Sequence, residues 1–238
     1  VIGARGSHGH GRVLRNESGM DHNGHMTTVN QGYSYQTHHS RLTQWSGCVA
    51  LMLLMLGMYR IFSLVLHDPL LAYANNFDMV RIQACHQIWP ADPSIVPTRS
   101  TPDAPLRFYS REQQVDALCL VSSELLFTAP AIVLAEQWNR VTGEQHINIQ
   151  AIGLFKAFVL FLTAAAISTF LYRQGHRRSL LAHALIFACV LSDPGITLYL
   201  NTFYSEFSAV YFLYIALMGL GLLHLHEGLE AKTHQPLI

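Results

Sequence analysis

The sequence predicts an all-α integral membrane protein with about four transmembrane helices, or five if one ambiguous segment also crosses. Three observations point there. Only 13% of the 238 residues are charged and 50% are hydrophobic, a charged share about half that of a soluble domain. The apolar residues are clustered: residues 47–66 and 149–172 each match the roughly 20 residues needed to cross a bilayer. A further long apolar stretch is interrupted by Asp193-Pro194-Gly195. Ionisable residues there are costly, and broken helix geometry is tolerated only where it lines a cavity or is buried in protein. Net charge is zero, so the expected partner is the lipid bilayer and not a nucleic acid.

Residues 1–45 are polar, rich in Gly and His, and without apolar periodicity. They read as a disordered cytoplasmic tail. Six of the fourteen histidines lie there (His8, His10, His22, His25, His38, His39), at spacings that fit no metal-site class. The first span covers 46–67. Trp45 anchors one edge, and Arg60 either snorkels or meets a neighbouring helix. Residues 68–148 form one loop region. Six prolines between Asp68 and Asp116 argue for an ordered but irregular course, with a short helix over 77–88. Near 117–135 an apolar stretch carries Glu124 and Pro130, and it reads as an interfacial amphipathic helix in preference to a span.

Residues 149–226 hold three further spans. The first, 149–172, carries Lys156 close enough to one end to snorkel. The second, 179–200, is the broken one, and the third is 207–225. Residues 227–238 are a second cytoplasmic tail. Three arginines in the short connection Arg173-Gln174-Gly175-His176-Arg177-Arg178 place it in the cytoplasm with both termini. The loop and the 193–206 region then face the other side. Cys48 and Cys189 lie in apolar runs as small hydrophobes. Cys85 and Cys119 flank the large loop and are able to pair on an oxidising side; paired and free states both stay open.

This topology puts Asp78, Asp193 and Glu206 on one side. Asp78 follows the first span by twelve residues, and Arg81 lies one helical turn further on. On its own such a pair is a weak surface ion pair. Gathered near a membrane surface, however, carboxylates serve as a general base and as a metal or hydroxyl clamp, and an arginine holds phosphate bidentately. These parts suit transfer of a sugar from a lipid-linked phosphate donor. Asp78, Arg81, Asp193 and Glu206 are the candidate site residues, the last three as a donor-phosphate or metal site. Glu124, Asn201 and Tyr204 are candidate substrate contacts. The carboxylates also suit a divalent cation, Mg or Mn, as cofactor. The aromatic run from Tyr199 to Tyr214 reads mainly as an interfacial belt, with Tyr204 as an alternative sugar platform.

The segments Asn76-Phe77-Asp78-Met79-Val80-Arg81, Ser122-Ser123-Glu124-Leu125-Leu126-Phe127 and Leu200-Asn201-Thr202-Phe203-Tyr204-Ser205-Glu206 resemble those of bacterial polytopic membrane proteins of the GT-C glycosyltransferase-like type. Those proteins are described as hexose-transferase-like and are associated with surface-glycan biosynthesis. The resemblance covers about residues 70–225 as short similarities. It implies a polyprenyl-phosphate sugar as donor, Asp78 as base, and the bacterial inner (plasma) membrane as location. The chain has fewer spans than that class usually has, which implies a fragment, a partner membrane subunit or lost activity. Two other readings stand beside it: a non-catalytic subunit of a larger membrane complex, and a transporter fragment with the broken helix as an ion site. His183 reads as a core histidine bonded to a neighbouring helix. His224, His226 and Glu227 read as an ordinary helix end, with a metal site as the sharper alternative.

Overall fold

The computed structural model describes residues 45–74, 79–95, 104–112 and 116–225 in full, and only the backbone of 19–20, 26–27, 34–44 and 226–233. The chain divides into two compact units, Val1–Gln44 and Trp45–Ile238. In the first, β1 (Gly19–Met20) pairs antiparallel with β2 (Met26–Thr27). Most of the expected disordered tail lies outside the described residues, as does Asp78 with Asn75, Asn76 and Phe77.

The second unit is mainly helical. Three helical segments are long and apolar enough to cross a membrane: Trp45–Val65 of α1 (Ser34–Val65), α4 (Ile149–Arg173), and Glu206–Leu225 of α7 (Glu206–Thr233). The sequence led us to expect a fourth over 179–200. There, α5 (Arg177–Ile186) passes into a π-helical turn, Phe187–Leu191. Residues 177–191 therefore run as one helical stretch, rising about 22 Å against a hydrocarbon core of about 30 Å. Pro194 then disfavours helix at the residue before it. Asp193 is extended, and its carboxylate accepts from Gly195 N at 2.8 Å to cap the short α6 (Pro194–Thr197).

The π turn is held from α1. Ser192 N donates to Phe187 O at 3.1 Å, five residues back. Ala188 O accepts from Ser192 Oγ at 2.6 Å and from Arg60 Nη1 at 3.0 Å. Arg60 thus meets a neighbouring helix, one of its two expected roles. Gly57 permits the approach, because a Cβ there would lie 2.8 Å from the Phe187 ring and 3.1 Å from Ala188 Cα. The broken segment runs back along α4. Ser168 Oγ meets His183 Nδ1 at 3.0 Å near one end, and Lys156 Nζ donates to Thr202 O at 2.7 Å towards the other. His183 Nε2 also bonds Tyr214 OH at 2.7 Å, so it is the core histidine expected.

The loop is more regular than the sequence suggested. After α2 (Met79–His86), β3 (Trp89–Pro90), β4 (Phe108–Ser110) and β5 (Ile147–Asn148) form an antiparallel sheet, with Trp89 opposite Ser110 and Tyr109 opposite Ile147. Strands this short carry too few alternations to read by periodicity. The interfacial helix expected near 117–135 is displaced: α3 is Leu125–Thr142, and the residues before it are irregular, with a turn at Ser123–Glu124. That irregular stretch is stapled to α2, with Leu120 N donating to Arg81 O at 3.1 Å and Cys85 disulfide-bonded to Cys119. α3 ends at Gly143, whose φ of 78° closes the helix and whose N–H reaches Asn139 O at 2.8 Å.

Two cores result. One lies among α1, α4, α5 and α7, with Ile61, Ala157, Phe187 and Phe207 nearly inaccessible. The other lies under the sheet, where Tyr109, Ile132, Ile152 and Phe203 are buried and the Tyr109 and Phe203 rings meet edge-on at 5.1 Å. Phe203 and Phe207 are therefore core residues, not a lipid-facing belt.

Candidate functional site

A cavity of about 160 Å³ lies where the loop meets the start of α7; Arg81, Ser122, Tyr204, Ser205 and Glu206 are among its walls. Its volume equals about five liquid waters. α2 presents Arg81 on its exposed side, because Met79, Val80, Ile82 and Gln83 are buried. The Cys85–Cys119 staple brings Ser122 alongside. The opposite wall is a turn fixed by Thr202, whose hydroxyl donates to Tyr199 O at 2.7 Å and accepts from Tyr204 N at 3.2 Å. Glu206 opens α7, where a carboxylate favours the helix dipole. A guanidinium, a carboxylate, a phenol and two hydroxyls thus border one small space. Such a set can hold a phosphate through the guanidinium and a sugar hydroxyl through the carboxylate.

The sequence-predicted residues divide as follows. Arg81, Tyr204 and Glu206 share this cavity. Tyr204 is largely buried and packs edge-on against Tyr199 at 6.0 Å, so only part of its ring is left for a ligand. Asp193 caps α6 and is not a wall of the cavity. Asn201 is a structural residue: its Nδ2 donates to Val65 O at 3.0 Å and Leu71 O at 3.2 Å. It presses so closely on Gly153 that any Cβ there would overlap its Oδ1. Asp78 lies outside the described residues. Among the described residues, no group of three or more His, Cys, Asp or Glu is placed to hold a metal. His224 is exposed, and the side chains of His226 and Glu227 lie outside the described residues.

Glu124 and Lys156 differ from two expectations. Glu124, a candidate substrate contact, is not a wall of the Arg81 cavity, and Lys156 does not snorkel. Both side chains are fully buried, with Lys156 Nζ 2.5 Å from Glu124 Oε1. Lys156 also donates to Thr202 O at 2.7 Å and lies over the Phe207 ring at 5.5 Å. Glu124 Oε2 accepts from Ser208 N at 3.3 Å, and Ser123 Oγ donates to Ser208 Oγ at 2.9 Å. The pair therefore ties α4, the start of α3, the Thr202 turn and the first turn of α7 together, directly behind the cavity. A signal for it was present in the sequence. Lys156 stands seven residues into α4, about 10 Å along the axis, and a buried charge in an apolar segment calls for an opposite one.

His86 supports the same corner. Its Nε2 bonds Thr128 Oγ1 at 2.7 Å, while Thr128 Oγ1 donates to Glu124 O at 3.1 Å. Burial, and then the Arg111 charge, lower its pKa below the ordinary 6.5, against a smaller opposing pull from Glu136. The unfolded chain therefore takes up this proton at higher pH than the folded chain does. The contribution is complete above about 6.5 and is lost as pH falls from there through the lowered value. His86→Gln should flatten the drop in melting temperature between pH 7.5 and pH 5; an unchanged drop would remove His86 as its source.

A scan of protein-family models, a search of curated proteins and a search of solved structures each found no match to this chain.

Proposed function

We propose that this chain is a membrane glycosyltransferase of the GT-C type, or the donor-binding part of one, acting on a polyprenyl-phosphate sugar at the outer face of the membrane. The observation that carries the reading is the convergence of Arg81, from the loop, with Tyr204 and Glu206, from the mouth of α7, on one cavity. Arg81 holds the donor phosphate, and Glu206 orients a hydroxyl or joins a divalent cation (Mg or Mn). Asp78, three residues before Arg81, is the base that takes the proton of the acceptor hydroxyl. The broken segment from α5 to α6 makes the fourth crossing, its deficit in length covered by α1 and α4. The termini are then cytoplasmic, and the Cys85–Cys119 disulfide supports an oxidising side for the loop.

Membranes containing the chain, given a labelled polyprenyl-phosphate hexose, test this. Asp78→Asn should abolish transfer at unchanged expression. Arg81→Gln should lower it roughly 10- to 100-fold, as expected when a charge-assisted hydrogen bond of about 1.5–3 kcal/mol is lost. Full activity in both variants would eliminate the assignment. One observation favours a second reading, a non-catalytic membrane subunit: only 11% of the apolar window of α7 is buried within this chain. Co-purification of a partner helix, with transfer indifferent to both substitutions, would select that reading.

A further inference from the structure

Away from the Arg81 cavity, two other cavities meet beside the C-terminal half of α3. One, of about 560 Å³, runs between α3 and the beginning of α4, walled by Leu134 and Trp138 on one side and Ala151, Leu154 and Phe158 on the other. The second, of about 410 Å³, is walled by charged groups that include Arg111, Glu112, Arg140 and Glu144. Asn139 and Glu144 border both, so the apolar cavity and the charged one adjoin and share part of a wall. Each is within the ~300–1,000 Å³ range of small-molecule sites.

The trough has the polarity profile of an amphiphile. Its apolar end uses the first ten residues of α4, a helix apolar enough to cross a membrane. Leu134, Trp138 and Phe158 are 57%, 64% and 51% exposed, so none of the described residues covers them fully. The amides of Asn139 and Asn148 come next, and the charged groups stand beyond. A trough that changes from hydrocarbon to amide to charge over a few residues matches an acyl chain joined to a polar headgroup at the membrane boundary.

The charges select the headgroup. Arg111 is already engaged, by Glu136 at 2.7 Å and by the His86 carbonyl. Among the described residues, Arg140, Glu112 and Glu144 belong to no ion pair. One guanidinium can take a phosphate and two carboxylates can take an ammonium. An anionic headgroup would meet a surplus of carboxylates, and a quaternary amine has no N–H to give them. We propose that this trough binds one molecule of a zwitterionic, primary-amine glycerophospholipid of the phosphatidylethanolamine type. One of its two acyl chains would lie between α3 and α4, its phosphate at Arg140 and its ammonium at Glu144.

The site is independent of sugar transfer, so its test reads lipid and not activity. The full chain, purified in detergent from an equimolar mixture of phosphatidylethanolamine and phosphatidylglycerol, is analysed by native mass spectrometry. One phosphatidylethanolamine should be retained, at least fivefold over phosphatidylglycerol. Ala151→Trp fills the apolar half and should lower retention at least fivefold; Leu134→Trp, at an exposed position, should do the same if the first variant melts early. Glu144→Lys should erase the headgroup preference while leaving a lipid bound. Equal retention of the two lipids by the unaltered chain would overturn the proposal, as would retention unchanged in both tryptophan variants, or a preference that survives Glu144→Lys.

Discussion

Lys156→Met, made alone, is expected to lower stability by about 3–5 kcal/mol, the cost of leaving a buried carboxylate without its partner. The Glu124 side chain is fully buried, and its other partner among the described residues is Ser208. The same substitution removes the donor to Thr202 O, which sits in the turn that carries Tyr204. Unfolding in detergent, followed by helical signal, measures the loss. The paired replacement Glu124→Leu with Lys156→Met gives the control: two apolar groups should recover most of the deficit, because the desolvation cost disappears with the charges. A single variant as stable as the unaltered chain would mean that the carboxylate reaches solvent or a proton by some other path.

This pair also explains what was legible in the sequence and what was not. Apolar length and low charge were enough to find α1, α4 and α7, because a bilayer-length run is a one-dimensional signal. The break at Asp193-Pro194-Gly195 was readable because proline acts on its own neighbour. The common side of the loop and the 203–206 turn followed from the arginine-rich connection, and Arg81 and Glu206 do border one cavity. Contacts between distant residues were not readable in this way. The distance of Lys156 from a helix end suggests an interfacial place, yet its ammonium turns inward to Glu124 and to Thr202 O. The start of α3 is later than the sequence suggests because 117–124, though apolar enough for a helix, is irregular and tied to α2 by a hydrogen bond and a disulfide. Asn201 and Asp193 looked functional as polar groups next to a span; one bonds the carbonyl ends of α1 and the loop, the other caps a helix.

The Cys85–Cys119 bond carries the second large effect. It closes a sequence separation of 34 residues, for which chain entropy alone predicts roughly 4 kcal/mol of stabilisation. The bond joins the end of α2 to the irregular stretch before α3, and only the hydrogen bond from Leu120 N to Arg81 O duplicates that connection among the backbone contacts described. Replacing both cysteines by serine should therefore lower the unfolding free energy by about that amount, while the intramembrane core around Ile61, Phe187 and Phe207 keeps its packing. The effect should concentrate in the loop: hydrogen exchange ought to rise first over α2 and residues 116–124, and much less over α4. Thiol counting supplies the companion measurement. Cys48 and Cys189 are free and exposed, so the denatured, unreduced chain should react with two equivalents of maleimide and the reduced chain with four. Four reactive thiols before reduction would remove the staple. With it would go the strongest support for an oxidising side at the mouth of the Arg81 cavity, since a persistent disulfide belongs to an extracytoplasmic surface.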